Sequence, residues 1–217
     1  MKIAILGSGV VGKTLGSKLI QLGHEVKMGS RTSNNEKAAE WVKSNGINAY
    51  QGTFDDAAAF AEIIFNCTNG SVSIEILISS KNNLSGKILI DVANPLDFSK
   101  GMPPTLIPSL SNTTSLGEEI QKALPDTRIV KALNTMNCYL MVDPSLVPGE
   151  HDIFVCGNDQ AAKEKVKELL ASFGWKSPID LGDITGSRAM EMILPFWLKL
   201  FGLYQSPHFN FKIVKKG

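Results

Sequence analysis

The stretch Lys2-Ile3-Ala4-Ile5-Leu6-Gly7-Ser8-Gly9-Val10-Val11-Gly12-Lys13-Thr14 decides how the rest of the chain is read. An apolar run leads into G-x-G-x-x-G, and the spacing of Val11, Leu15, Leu19 and Leu22 then predicts an amphipathic helix over 10–22, ended by Gly23. Each glycine of the turn has a physical task. Gly7 permits the tight turn, and Gly9 lets the backbone approach a pyrophosphate. Gly12, with Gly16 one turn later, lets the helix lie close on the sheet. The first N–H groups of the helix and its dipole face the diphosphate. Gly7, Ser8, Gly9, Val10, Val11 and Gly12 are therefore the expected diphosphate contacts.

Gly7 to Thr14 also satisfies a second pattern, G-x-x-x-x-G-K-[ST], in which Lys13 reaches phosphates and Thr14 a magnesium ion. Asp91, ending the run Ile88-Leu89-Ile90, can pose as the second magnesium carboxylate. Three features favour the dinucleotide pattern. Gly9 has a task only there, Gly16 continues a close-packing face, and a nucleotide-selecting site follows the second strand. Lys13 is then a solvated helix residue. That selecting region reads Met28-Gly29-Ser30-Arg31-Thr32-Ser33-Asn34-Asn35 and contains no acid. An acid there would bind a ribose 2′-hydroxyl and repel a 2′-phosphate. Arg31 can pair with that phosphate, Ser30 and Thr32 can add bonds, and Lys37 can reach it from the next helix. The expected ligand is NADP(H).

Apolar runs alternating with helical patterns continue outward, the mark of a parallel sheet covered by helices. Strands are expected over 2–6, 25–29, 48–51, 63–66, 88–91, 128–132, 152–156 and 177–180. Helices are expected over 36–45, from a cap at Thr53 to 61, from a capping box at Ser115 and Glu118 to 124, and over 159–173. A last helix spans about 185–202, bent at Pro195, and being apolar nearly all round it should be buried as core, a dimer contact or a pocket wall. Residues 92–114 and 134–150 read as long loops, the kind that supply lids. The expected fold is α/β: a Rossmann-type doubly wound, mostly parallel sheet with a small α/β C-terminal extension ending in an apolar helix. No linker divides the chain, so it is read as one domain over 1–217, with a dinucleotide-binding core over 1–135 and an extension over 136–217.

Bulk properties narrow the function. The 217 residues carry a formal net charge of +1, which does not fit a nucleic-acid or membrane-surface partner. No apolar run approaches the ~20 residues that span a bilayer, and the first residues lack a signal-peptide core. Cys67, Cys138 and Cys156 are far apart and read as reduced thiols of a cytoplasmic protein. His24, His151 and His208 have no ligand-like spacing, so no metal is expected.

Taken in order, several motifs resemble the coenzyme F420-dependent NADP oxidoreductases, a family whose fold also forms the cytosolic domain of the Steap ferric reductases. They are the glycine turn, Gly29-Ser30-Arg31, Asn94-Pro95, Val130-Lys131-Ala132-Leu133-Asn134-Thr135, and Asp180-Leu181-Gly182 followed by Arg188 and Glu191. The resemblance spans nearly the whole chain and is densest before residue 135. It implies hydride exchange between NADP(H) and a flavin-like ring such as F420, FMN or FAD. It places Cys67-Thr68-Asn69 along the dinucleotide, and Asn94, Pro95, Leu133 and Asn134 around the nicotinamide. Asn134 and Asn69 depart from the archaeal F420 enzymes, where histidine and proline are expected. The acceptor pocket is expected at Thr135, Met136 and Asn137, with Trp197 as a wall, and the resemblance also implies a homodimer.

No nucleophile, base or metal cluster stands out, which suits hydride transfer governed by positioning. Two alternatives remain at this level: an NADPH-dependent reductase of a small carbonyl or imine, with Tyr139 or His151 as proton relay, and a non-catalytic NADPH-sensing protein. The missing acid after the second strand yields a direct expectation. NADPH should bind at least about tenfold tighter than NADH, ~1.4 kcal/mol, and Arg31→Ala should remove most of that preference. Equal affinities of the wild type for the two cofactors in a fluorescence titration would refute it.

Overall fold

In a computed structural model describing residues 1–216, eight strands form one sheet and two more a small hairpin. The strands are β1 (Lys2–Leu6), β2 (Glu25–Ser30), β3 (Ala49–Thr53), β4 (Ile63–Asn66), β5 (Ile88–Asp91), the hairpin β6 (Leu96–Asp97) and β7 (Thr105–Leu106), β8 (Arg128–Ala132), β9 (Phe154–Gly157) and β10 (Ile179–Asp180). The helices are α1 (Val10–Gln21), α2 (Glu36–Asn45), α3 (Phe54–Phe60), α4 (Ser73–Ser79), α5 (Lys81–Leu84), α6 (Leu116–Ala123), α7 (Cys138–Val142), α8 (Gln160–Ser172), α9 (Ser187–Met192) and α10 (Leu194–Tyr204). The sheet order is β10-β9-β8-β5-β4-β1-β2-β3. Strand order reverses between β1 and β4, so the binding crevice of such a sheet opens beyond their carboxyl ends.

Alternation along each strand sorts its side chains onto two cores. Ile3 and Ile5 pack with Leu15, Leu19 and Trp41 on one face, while Ala4 and Leu6 pack with Ala57, Leu77 and Ile120 on the other. Both faces are dry because helices cover both, the usual state of a parallel sheet. Side-chain caps set several helix starts, at Thr53 and Ser115 as the sequence implied and elsewhere at residues it did not single out as caps. Thr53 and Asp56 form a complete capping box on α3, and Asn35 and Asp159 cap α2 and α8.

Several expectations are corrected. Strand β9 begins at Phe154 and runs antiparallel to β8. An antiparallel neighbour needs no crossover, so residues 133–153 begin and end at the same edge of the sheet and stay there. The two expected long loops are partly ordered, by the β6–β7 hairpin and a 3-10 turn in one and by α7 in the other. Helices α4 and α5 had no expected counterpart. The last helix breaks two residues earlier than expected, at Ile193 between α9 and α10, with Pro195 in the first turn of α10. Proline suits that position because its missing N–H would lack a helical partner anyway. Helix α10 is not core: Leu194 is its one buried residue among the described ones, while Phe196 is 56% and Leu203 69% exposed. It lies outside the sheet layers and is covered by the chain end, where Phe209 stacks on Trp197 and Phe211 on Phe196. None of the helices in the described residues is long and apolar enough to cross a membrane.

The extension is fastened to the core through α6. Ser115 caps that helix by accepting from the Glu118 N–H, but Glu118 does not complete the expected capping box. Its carboxylate accepts from Arg188 of α9, with Nε at 2.7 Å. The Arg188 hydrogen bond holds the Glu118 carboxyl below its ordinary range. A depressed carboxyl contributes stability above its unfolded pKa, about 4.3, and loses it as pH falls through the folded value. Glu118→Gln should therefore lower Tm at pH 7 by a few degrees and flatten the acid limb of the stability profile. Tm measured from pH 3 to 7 with an unchanged acid limb would contradict this pairing.

Candidate functional site

The glycine turn joins β1 to α1. Gly7 has φ +124°, and a Cβ there would lie 2.6 Å from the Cys67 carbonyl, so both backbone conformation and space demand glycine. A Cβ on Gly12 would strike the Gly7 carbonyl and lie 2.9 Å from Ile5, which explains the close seat of α1 on β1. Gly16 differs from expectation: it faces Trp41 of α2, at 2.7 Å from a built Cβ, so it serves helix–helix packing. Gly9 is the odd one, with nothing within 4 Å of a built Cβ. It sits at the N-cap of α1, without a side-chain cap and with no acid in the first turn. The N-terminus of α1 thus meets open space, as an anion site requires.

Beside it, a cleft of about 740 Å³ is lined by Ser8, Gly9, Val10, Lys13, Lys18 and Lys37, among others. Lys13 pairs with Glu40 of α2 at 3.7 Å. Arg31 and Thr32 are exposed at the end of β2, and Arg31 makes no ion pair among the described residues. Ser30 is buried, and its hydroxyl donates to the Thr32 carbonyl at 2.7 Å. Ser30 therefore shapes the loop and its hydrogen is not available to a phosphate, a correction to the expected donor set.

Past the glycine turn, at the ends of β4, β5 and β8, lies a cavity of about 380 Å³. It gathers Val10 and Val11 from α1, Cys67, Thr68 and Asn69 after β4, Asn94 after β5, Asn134, Met136 and Asn137 after β8, and Trp197 of α10. Residues 69 and 134 are over 60 positions apart, so the sheet alone unites them. Thr135, Leu133 and Pro95 do not line it and are buried behind. The chain turns at Leu133, which holds φ +66°, a conformation that non-glycine residues adopt rarely and mostly where function or packing imposes it. Leu96, Phe98 and Leu194 also line the cavity, and the sequence did not single them out. Gly70 was missed too. A Cβ there would collide with the Asn94 carbonyl, so Gly70 lets the β4 turn press against the β5 turn.

The asparagines divide their bonds. Asn94 Nδ2 donates to the Asn134 carbonyl at 2.8 Å, and Asn134 Nδ2 donates to Asn94 Oδ1 at 2.9 Å and the Met190 carbonyl at 2.8 Å. The Asn94 side chain is thus engaged with its neighbour Asn134. Asn137 Oδ1 accepts from the Tyr139 N–H as the cap of α7. Asn134 Oδ1 is buried and has no partner, and so is Trp197 Nε1. A buried polar atom without a partner costs about 1–3 kcal/mol, so both are unusual features of the cavity wall.

Behind the cavity, Asn66, Asp91 and Lys131 stand in one row across β4, β5 and β8. Asp91 Oδ1 accepts from Asn66 at 2.8 Å, and Oδ2 accepts from Lys131 at 2.7 Å. Lys131 also reaches Glu191 of α9 at 2.8 Å and donates to the Ala93 carbonyl. With both oxygens occupied inside the core, Asp91 has no room for the magnesium role that the rival phosphate-loop pattern asks of it. Burial pushes the Glu191 carboxyl up, whereas for Lys131 the two carboxylates outweigh burial and raise the ammonium pKa. Burial also pushes up the thiols, that of Cys156 to about 12, and those of Cys67 and Cys138 in the same direction.

A doubly wound sheet with an uncapped glycine turn at its switch point and a pocket next to it defines a dinucleotide-binding architecture. Comparison with known proteins takes this further. Residues 2–95 match the family described as NADP oxidoreductase, coenzyme F420-dependent. The F420-dependent NADP reductase of Methanocaldococcus jannaschii is 30% identical, covering 99% of this chain and 98% of that protein. The metalloreductase STEAP3 of Rattus norvegicus is 29% identical over 90% of this chain, which spans only 38% of that protein. A crystal structure from Arthrobacter sp. FB24, described provisionally as an F420-dependent NADP-reductase, superposes with a TM-score of 0.92 at 48% identity, covering 99% of this chain and all of that one. The chain belongs to the coenzyme F420-dependent NADP oxidoreductase family and is an NADP-dependent oxidoreductase.

The open space at Gly9 sets the test of the turn. Gly9→Val should fold normally yet lose NADPH binding, because its side chain fills the approach to the α1 N-terminus. Lys13→Ala should matter little. A Gly9→Val protein that still binds NADPH, or a larger rise in Tm with ATP and magnesium than with NADPH, would overturn the assignment.

Proposed function

We propose that the protein exchanges hydride between NADP(H) and a flavin-like acceptor, F420 foremost, with FMN and FAD as the other candidates. The carrying observation is the chemistry of the cavity wall. Among the described residues lining it there is no carboxylate, imidazole, amine, guanidinium or phenol, and its two thiols are held protonated by burial. Reduction of a carbonyl or imine needs an acid placed at the substrate heteroatom, and Tyr139 and His151 do not line this space. Transfer between two stacked rings needs mainly position and exclusion of water. A sensing protein has no need of the further walls that Met136, Leu194 and Trp197 add to the nicotinamide end of this cavity.

The residues fit an extended dinucleotide. In this reading Arg31 and Lys37 take the 2′-phosphate, Ser8 to Gly12 the diphosphate, and Cys67 to Asn69 line its path. The unpartnered Asn134 Oδ1 is a ready acceptor for a carboxamide N–H at the nicotinamide end. When bound, NADPH supplies a hydride that the acceptor ring takes up with a proton from water, leaving NADP⁺ and the reduced ring. Met136, Leu194 and Trp197 keep bulk water from that space, and Phe201 and Phe209 stack on the Trp197 ring to hold it. The F420 preference rests on the archaeal relatives that carry that activity in their names.

A stopped-flow screen of NADPH oxidation against F420, FMN, FAD, riboflavin and ferric chelates tests the reading, with turnover expected for at least one ring acceptor. Met136→Trp should abolish that turnover while NADPH affinity stays within about threefold, ~0.65 kcal/mol. Absence of turnover with every ring, or equal loss of NADPH binding in Met136→Trp, would place the acceptor wrongly.

A further inference from the structure

We infer that Lys131 is a positioning residue which, through one buried ammonium group, sets the spacing between the two walls of the acceptor cavity. One wall is the turn after β5, and the other is α9 running into α10. Lys131 is fully buried and Asp91 likewise, with Glu191 only 1% exposed. Its ammonium has three donors and three acceptors around it: Asp91 of β5, the Ala93 carbonyl and Glu191 of α9. Ala93 is the residue before Asn94, so the ammonium fixes the turn that carries Asn94 into the cavity. Glu191 precedes Leu194 and Trp197 by three and six residues, so the same ammonium fixes the position from which α10 sets out.

Two further links make the coupling specific to this site. Met190, next to Glu191, accepts from Asn134 Nδ2. Glu191 also accepts the backbone N–H groups of Leu116 and Gly117, at 2.8 and 3.0 Å, so it caps α6 from outside that helix. Helix α9 is thus tied to Lys131 of β8 through Glu191, to the turn after β8 through Met190, and to α6 through Glu191 again. Every oxygen of both carboxylates faces donors, so each carboxylate holds its neighbours in place through accepted hydrogen bonds. The phosphate end of the crevice, from Arg31 to Gly12, touches none of these bonds, whereas Asn134 at the other end does. The inference rests on the acceptor site proposed above, and it separates the phosphate contacts that dominate dinucleotide affinity from the positioning of the nicotinamide end and the acceptor.

The test compares Lys131→Met with the double variant Lys131→Met/Asp91→Asn. The single variant leaves two buried carboxylates without their cation and can fail to fold. The double variant removes one positive and one negative charge together, so the net charge of the cluster is conserved and the remaining Glu191 keeps its α6 N–H partners. NADPH affinity in the double variant should stay within about threefold of wild type. The 19F resonance of Trp197, in protein labelled with 5-fluorotryptophan and assigned by Trp197→Phe, should shift and broaden while that of Trp41 stays in place. With F420 or FMN, whichever the wild type turns over, kcat should fall about tenfold or more at an unchanged KM for NADPH. A folded double variant with an unmoved Trp197 resonance would overturn the inference, as would full kcat or a parallel loss of NADPH affinity. Should the wild type turn over none of the acceptors, the proposed function fails, and the Trp197 resonance still decides the role of Lys131.

Discussion

The ion cluster of Lys131 with Asp91 and Glu191 is the constraint around which the second half of the molecule is arranged. Taking each such charge out of water costs several kcal/mol, and the return depends on near-complete hydrogen bonding. That condition is met only in one arrangement: β5 beside β8, the Ala93 turn folded over Lys131, and α9 docked with Glu191 pointing inward. A hydrophobic substitute could offer equal cohesion but would tolerate sliding. An ammonium with three fixed acceptors does not, and register is the best-attested use of buried polar groups.

The same cluster divides the C-terminal edge of the sheet into two regimes. On the β1–β2 side the groups that suit phosphates are exposed or border a wide cleft, as Arg31, Thr32 and Lys37 do. Charged ligands are well served there, since water can fill in where contacts are imperfect. On the β5–β8 side the wall is apolar or amide-bearing, with two unpartnered polar atoms. An apolar, amide-bearing wall of that kind suits a neutral ring system, where fixed geometry matters more than charge pairing.

The topology explains why the second regime is built from the extension. Because β9 runs antiparallel to β8, the chain returns along the functional edge and leaves Asn134 to Asp152 there. Helix α10 and the chain end then close over that edge, with Phe209 and Phe211 stacked on Trp197 and Phe196.

By itself the sequence determined the glycine turn, the nucleotide-selecting loop and most strands and capped helices. These rest on local chemistry, such as a left-handed Gly7, an absent acid after β2, and side-chain caps at Thr53 and Ser115. It also brought out Asn94, Asn134 and Met136 through ordered motifs, although not how they bond. Only the tertiary structure decided that Asn94 is engaged with Asn134, that Gly16 serves Trp41, and that α10 is an outer wall rather than core. It alone made Asp91, Lys131 and Glu191 one object. Read singly, each charge looks like a solvated surface residue or a metal ligand, because a charge acquires its meaning from its partners. Here those partners lie 40 and 60 positions apart, and only the register of β5 against β8 and the docking of α9 bring them within bonding distance.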